Sequence, residues 1–300
     1  MTSVAVGVFN IVFVLLAAPL FDGVMRQVKA RIHSRRGPSI LQTYFDLGKL
    51  MVKEDQLAVN NFIFSVTPII CLGSVLLAAL FVPMGGVVPL GFAGDTLVLV
   101  YVLTMGPICL CLGGMASGSP YAYLGVNREI MMLMVVEPVM AISLIASAIK
   151  AHSLMLADCI RQPLTGAPSF SLAICAVAFF LALQSVMAKV PFDLPEAEQE
   201  IMEGPLIEYS GRKLAMLKWS FYCKQIVLLT LFMEWFVPWP AVGSLPLRIV
   251  LTLVKVLVGA VLVEVIAQVF PRLKIAQSMR YFVSVIAVAL TGLMLAVMGL

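Results

Sequence analysis

Six carboxylates, Asp193, Glu196, Glu198, Glu200, Glu203 and Glu208, crowd the stretch "DLPEAEQEIMEGPLIE". Like charges at i, i+4 spacing cost a few tenths of a kcal/mol per pair in water, and more where the dielectric is low. Solvent, basic partners, or raised pKa values that keep some carboxyls protonated would each relieve the repulsion. A cluster of the last kind can take up and release protons; the alternative is a solvated acidic loop. Locally, Asp193-Leu-Pro-Glu196 resembles a capping box. Pro195 is tolerated in a first helical turn, and Gly204-Pro205 stops a helix. The spacing therefore predicts a short helix with Glu196, Glu200 and Glu203 on one face and Glu198 pointing away.

Further charges interrupt long apolar runs: Glu129 and Glu137, Lys224 and Glu234, Lys255 and Glu264. An ionised residue at a bilayer centre costs about 2.5–3.5 kcal/mol on the insertion scale. Several in one chain imply either an interior polar track or static buried ion pairs, and Lys224 could pair with a glutamate such as Glu137. The six cysteines contain no CxxC; Cys109 and Cys111 are poorly spaced for a metal and read as small apolar residues. His33 and His152 fit no ligand pattern. A redox metal carried by this chain is not expected.

These charges need elements to hold them. The 300-residue chain is 61% hydrophobic and 12% charged, with a mean hydropathy of +1.04. Soluble domains carry about 25% charged residues, and a membrane helix needs about 20 apolar ones. The expected fold is an all-α polytopic membrane protein, because the short alternating strands of a barrel are missing from the pattern. Eight spans are expected in a single membrane domain over residues 1–300: about 4–25, 62–83, 95–115, 130–149, 168–188, 218–238, 246–269 and 280–299. The first lacks the basic start and the cleavage site of a signal peptide. Lysine and arginine fall unevenly between the two sides. Fifteen lie on one side: Arg26, Lys29, Arg31, Arg35, Arg36, Lys49, Lys53, Arg128, Lys189, Arg212, Lys213, Lys218, Arg272, Lys274 and Arg280. Three lie on the other: Lys150, Arg161 and Arg248. The positive-inside rule makes the loops at about 26–61, 116–129, 189–217 and 270–279 cytoplasmic and both termini external. A net charge of +4 carried at span ends is no nucleic-acid signal. In "ILQTYFDLGKLMVK", Ile40, Tyr44, Leu47 and Met51 share one helical face, which predicts an amphipathic helix at the membrane surface.

Three stretches carry a family resemblance. "ARIHSRRGPSILQTYFDLGKLMVKED" and "KVPFDLPEAEQEIMEGPLIEYSG" resemble the signatures of the H-subunit of respiratory complex I, and "GVNREIMMLMVVEP" resembles its R…E segment. The resemblance covers almost the whole chain. Gly37-Pro38 is followed at once by Ile40-Leu41-Gln42, without the insertion usual in complex I. With the EAEQE…EGPL…EYSG loop, this is most similar to the membrane connector subunit of group 4 [NiFe]-hydrogenases, among them formate hydrogenlyase and the CO-linked and energy-converting hydrogenases.

That resemblance implies a multi-pass subunit of a prokaryotic cytoplasmic (inner) membrane. Its expected partners are hydrogenase large and small subunits, an iron–sulfur subunit and antiporter-like membrane subunits, with [NiFe] and iron–sulfur clusters in the partners only. It implies that Arg26, Arg31, Arg35, Arg36, Asp46, Lys49 and Arg128 seat the peripheral arm. It implies that Asp193, Glu196, Glu198, Glu200, Glu203 and Glu208 respond to charge changes there, while Glu129, Glu137, Lys224, Glu234, Lys255 and Glu264 relay protons or sodium ions. Where the family commonly carries a glutamate, three residues before Lys189, this chain has Val186, which implies a substitute group or a different path. The alternatives are a quinone-site H-subunit of NADH:quinone oxidoreductase, a stand-alone ion transporter, and an inert membrane anchor.

Overall fold

A computed structural model describes residues 3–56, 59–84, 88–165, 169–240 and 244–299. Eleven α-helices run through the described residues: α1 Ser3–Ile32, α2 Gln42–Val52, α3 Phe62–Phe81, α4 Asp95–Ala116, α5 Pro120–Ala151, α6 Leu156–Thr165, α7 Phe170–Val186, α8 Glu198–Ile201, α9 Gly211–Phe236, α10 Leu245–Val269 and α11 Ile275–Val297. Seven of them (α1, α3, α4, α5, α9, α10 and α11) are long and apolar enough to cross a membrane. The remaining expected span, α7, is an apolar helix of 17 residues. At 1.5 Å per residue it reaches about 25 Å, a little under a bilayer core of about 30 Å.

The helices pack in two groups that share α9. Helices α5, α7 and α11 lie together, α3 packs on α4, and α1 and α10 flank α9. Helix α9 touches α1, α2, α3, α7 and α10. It is both the least apolar span and the most enclosed, for a single physical reason. A helix surrounded by protein need not be greasy, so its polar residues face neighbours rather than lipid. Helices α10 and α11 sit at the rim, more exposed, and owe their apolar faces to that position.

Four connections meet at one end of the bundle. Arg272, between α10 and α11, grips Asp193, between α7 and α8, from Nε at 2.8 Å and from Nη2. Asp55, after α2, accepts from the backbone N–H of Arg212 at 2.6 Å. Arg26 near the end of α1 reaches Asp46 on α2 at 3.0 Å. At the opposite end, Asp95 at the start of α4 accepts from the Leu156 N–H of α6 at 2.6 Å, and Lys150 donates to the Gly299 carbonyl at 3.1 Å.

The amphipathic helix forms as expected, with a shifted face. Leu47 and Thr43 are buried against α1 and α9, Tyr44 and Met51 are half-buried, and Ile40 is exposed before the helix begins. Thr43 turns inward because its hydroxyl donates to Asp22 at 2.9 Å, and Tyr44 donates to the Leu16 carbonyl.

Candidate functional site

The acidic stretch does not fold as the capping box predicts. Among the described residues of the stretch only Glu198–Ile201 is α-helical, because Met202 and Glu203 both take left-handed backbone conformations that end it after one turn, and a single 3-10 turn follows at Gly204–Leu206. Asp193 caps nothing: Arg272 holds both of its oxygens. A charged bidentate pair outweighs a cap hydrogen bond worth about 1 kcal/mol. The three glutamates of the expected common face therefore part company. Glu200 pairs with Arg128 at 2.6 Å and Glu203 with Lys218 at 3.5 Å. Glu196 turns inward to line a cavity. Glu208 is half-buried, and the Glu198 side chain lies outside the described residues.

The loop is held at both ends of this turn. Beyond Arg272, the Leu273 N–H donates to the Pro191 carbonyl at 3.1 Å, and Phe192 packs on Tyr281 and Phe282. On the other side, Gly204 and Pro205 lie against α5 at Gly125. A Cβ there would stand 2.6 Å from Pro205 Cδ and 2.9 Å from Gly204 Cα. Gly204 itself has a φ of 51°, where glycine is favoured.

Beneath the loop lies a cavity of about 300 Å³, bounded by α1, α3, α4, α5, α9 and the α7–α8 connection. Its charged lining is Asp22, Arg26, Glu129, Lys189, Glu196, Glu203, Lys218 and Lys224. A smaller cavity of about 40 Å³ adjoins it and reaches Glu137. Glu129, Lys224, Leu103, Pro107, Ser185 and Val186 border both. Pro107 cannot bond the Leu103 carbonyl one turn back, so the wall between the two spaces carries a helix carbonyl freed from its usual donor. The larger space has room and polar partners for several waters.

No direct ion pair joins Lys224 to a described carboxylate; the expected pairing with Glu137 is not made. Lys224 instead faces Glu129, Glu196 and Glu137 across the cavities. One oxygen of Glu137 and one of Gln225 are buried without a hydrogen-bond partner among the described residues. Burial pushes the Glu196 carboxyl up to about 7; neighbouring Glu129 pushes the same way, and Lys224 opposes both.

At the rim, Arg26 binds Asp22 at 2.9 Å, Asp46 at 3.0 Å and the Tyr222 hydroxyl at 3.3 Å, tying α1, α2 and α9 together. Burial pushes the Asp46 carboxyl up, but hydrogen bonds from Gln42 and Arg26 outweigh it and leave the group below the usual carboxylate range. The residues expected to seat a partner thus divide. Arg31, Arg35, Arg36 and Lys49 are exposed, whereas Arg26, Asp46 and Arg128 are engaged within the chain.

The other in-span charges lie away from the cavity lining. Glu234 accepts from Thr252 at 2.7 Å and pairs with Lys255 at 3.1 Å, and Lys255 also donates to the Val237 carbonyl at 3.1 Å. Glu264 pairs with Lys189 at 3.4 Å. Sequence reasoning missed Asp22 and Lys189 as cavity residues, and singled out Val186 only as the place of an absent glutamate. Asp22 was findable as an acid one turn before Arg26, whereas the inward turn of Lys189 depends on the loop fold. Among the described residues no group of three or more His, Cys, Asp or Glu side chains is placed to hold a metal ion.

Comparison with known proteins is consistent along the chain. The family model described as NADH dehydrogenase matches residues 4–298. Hydrogenase-4 component C of Escherichia coli (strain K12) is 36% identical over 264 residues, spanning 86% of this chain and 83% of that protein. Formate hydrogenlyase subunit 4 of the same organism is 35% identical over 269 residues, spanning 86% and 87%. The H-subunit of the NADH-quinone oxidoreductase of Thermomicrobium roseum is 33% identical over 232 residues, spanning 68% of each chain. A chain of the membrane-bound sulfane sulfur reductase, an archaeal respiratory membrane complex, superposes with a TM-score of 0.89 at 25% identity over 98% of this chain and 99% of that one.

Proposed function

The chain belongs to the NADH dehydrogenase family, and we propose that within it this protein is the membrane connector subunit of a [NiFe]-hydrogenase complex. The exposed Arg31, Arg35, Arg36 and Lys49 attract the peripheral arm, at the end of the bundle where the acidic loop lies. Partner subunits carry the [NiFe] centre and the iron–sulfur clusters, and antiporter-like subunits pack alongside in the membrane. The positive side faces the cytoplasm of a prokaryotic cell, with both termini outside.

One observation carries the reading. Acids and a lysine with no direct ion pair among the described residues, Glu129, Glu196, Glu137 and Lys224, surround two adjoining cavities beneath the acidic loop. A charge change in the arm alters how readily Glu196 holds its proton, at about 1.36 kcal/mol per pKa unit. Glu129 and Lys224 pass that change towards Glu137, since coupled groups titrate together. Val186 stands on the shared wall, so Glu129 and Glu196 take the part of the family's missing acid.

The test is Glu129→Gln in the assembled complex, with hydrogen turnover and ion movement measured together. Ion movement per turnover should collapse while the complex stays assembled. Unchanged coupling would leave only a membrane anchor. Loss of turnover restored by a quinone would favour the quinone-site alternative.

A further inference from the structure

A second set of side chains leads out of the cavity between α1 and α10. Lys189, on the cavity wall, lies 3.4 Å from Oε2 of Glu264, which is buried at 4% exposure. One turn along α10, the Gln268 amide donates to Oε1 of Glu264 at 2.8 Å. The Gln268 oxygen lies 2.8 Å from Nε2 of His33, which is exposed just beyond the end of α1. The four groups form a continuous polar line from the exposed surface to the cavity.

We propose that Glu264 is a proton-exchange site joining the cavity to the exposed face through Gln268 and His33. The inference rests on the reading of the cavity as a proton-handling space. An amide has one donor end and one acceptor end, and a carboxylate only accepts. With the amide N–H on Oε1 of Glu264 and its oxygen on Nε2 of His33, the imidazole presents an N–H at Nε2 and Oε1 carries no proton. A proton placed on Oε1 makes that oxygen a donor instead. The amide then turns half over, its oxygen receiving the carboxyl O–H and its NH₂ meeting a bare imidazole nitrogen.

When His33 starts as the imidazolium, the two arrangements hold the same number of protons and differ in where one of them sits. The imidazolium loses it at Nε2 and becomes neutral imidazole; the carboxylate gains it and becomes the acid; the amide is unchanged. Gln268 thus links the proton occupancy of an exposed group to that of a buried one. With Glu264 neutral, Lys189 stands as an unbalanced positive charge on the cavity wall. A simple strut between α1 and α10 would need none of this chemistry, since two apolar side chains would serve.

The test uses the assembled complex in sealed vesicles, measuring ions moved per hydrogen turnover. Gln268→Leu and Glu264→Gln should each lower the ratio about fivefold or more, the low end of coupling between linked sites. His33→Ala should lower it too, and imidazole in the medium should restore it, which a strut does not predict. If Gln268→Leu and His33→Ala leave the ratio unchanged while Glu129→Gln abolishes it, this inference falls and the cavity reading stands. If Glu129→Gln is also silent, the underlying reading falls. Should Gln268→Leu fail to assemble, infrared titration of the other two variant complexes decides. The protonated-carboxyl band assigned by Glu264→Gln should shift in His33→Ala, and an unshifted band overturns the proposal.

Discussion

Two buried acid–lysine sites sit in the same bundle and differ in completeness. At the α9–α10 contact, one Glu234 oxygen takes both the Thr252 hydroxyl and the Lys255 ammonium, and Lys255 has a backbone carbonyl as well. Beside α5 and α9, Lys224 faces three glutamates and has no direct ion pair with any described carboxylate, and Glu137 keeps an oxygen without a hydrogen bond among the described residues. The first arrangement has a single preferred charge state, since removing either charge strands the other. On the proposed reading, the second has several of similar energy. Acid and lysine occur in both, so on the proposed reading the satisfaction of hydrogen bonds, rather than the presence of charge, separates a fastening from a titrating site.

The contrast is broken most forcefully at the fastening. Lys255→Met alone leaves Glu234 buried and uncompensated and should cost about 3–5 kcal/mol, whereas Glu234→Leu with Lys255→Met should be close to neutral. Thermal melting in detergent reads both, and ion movement per turnover should survive in the double variant. Next in size, Glu129→Gln keeps shape while removing a proton site, and ion movement should fall on the order of a hundredfold, as for a positioned proton-transfer group, with little change in melting.

Gly125→Ala should cost about 1–3 kcal/mol through overpacking, because its Cβ meets Pro205 and Gly204. It should also loosen the acidic loop, which proteolysis between α7 and α9 would register.

A smaller effect separates the sites by pH. The folded Glu196 carboxyl lies at about 7 against an ordinary 4.5, so the folded chain binds that proton more tightly than the unfolded one. Stability should decline as pH rises from about 4.5 through about 7, with the cost fully present above that. Glu196→Gln should flatten this part of the melting profile. The smallest effect belongs to the exposed basic residues. Arg35→Gln with Arg36→Gln should weaken arm binding modestly at low salt and hardly at all at high salt.

The membrane helices and the in-span charges were legible because each is a local signal: a long apolar run, or an acid inside one. Lys224 and Glu129 announce themselves in that way. The acidic loop was only half legible. Its crowding was plain, but its conformation is set by Arg272, 79 residues from Asp193, and by left-handed backbone at Met202 and Glu203. A local capping pattern carries no trace of either. The burial of Thr43 had no local signal for a similar reason, since it follows from a partner on another helix, Asp22. Lys189 counted only among the basic residues of the cytoplasmic side and His33 fitted no ligand pattern; only the meeting of α1, α10 and the α7–α8 connection gives them carboxylate and amide neighbours.

The most direct measurement of whether the cavity acids answer the arm is a redox-difference infrared spectrum of the assembled complex. Reduction of the partner clusters should change a protonated-carboxyl band that disappears in Glu196→Gln and persists in Glu234→Gln. Spectra of wild type and Glu196→Gln that superimpose through the carboxyl region would contradict the claim that these side chains change protonation with the redox state of the arm.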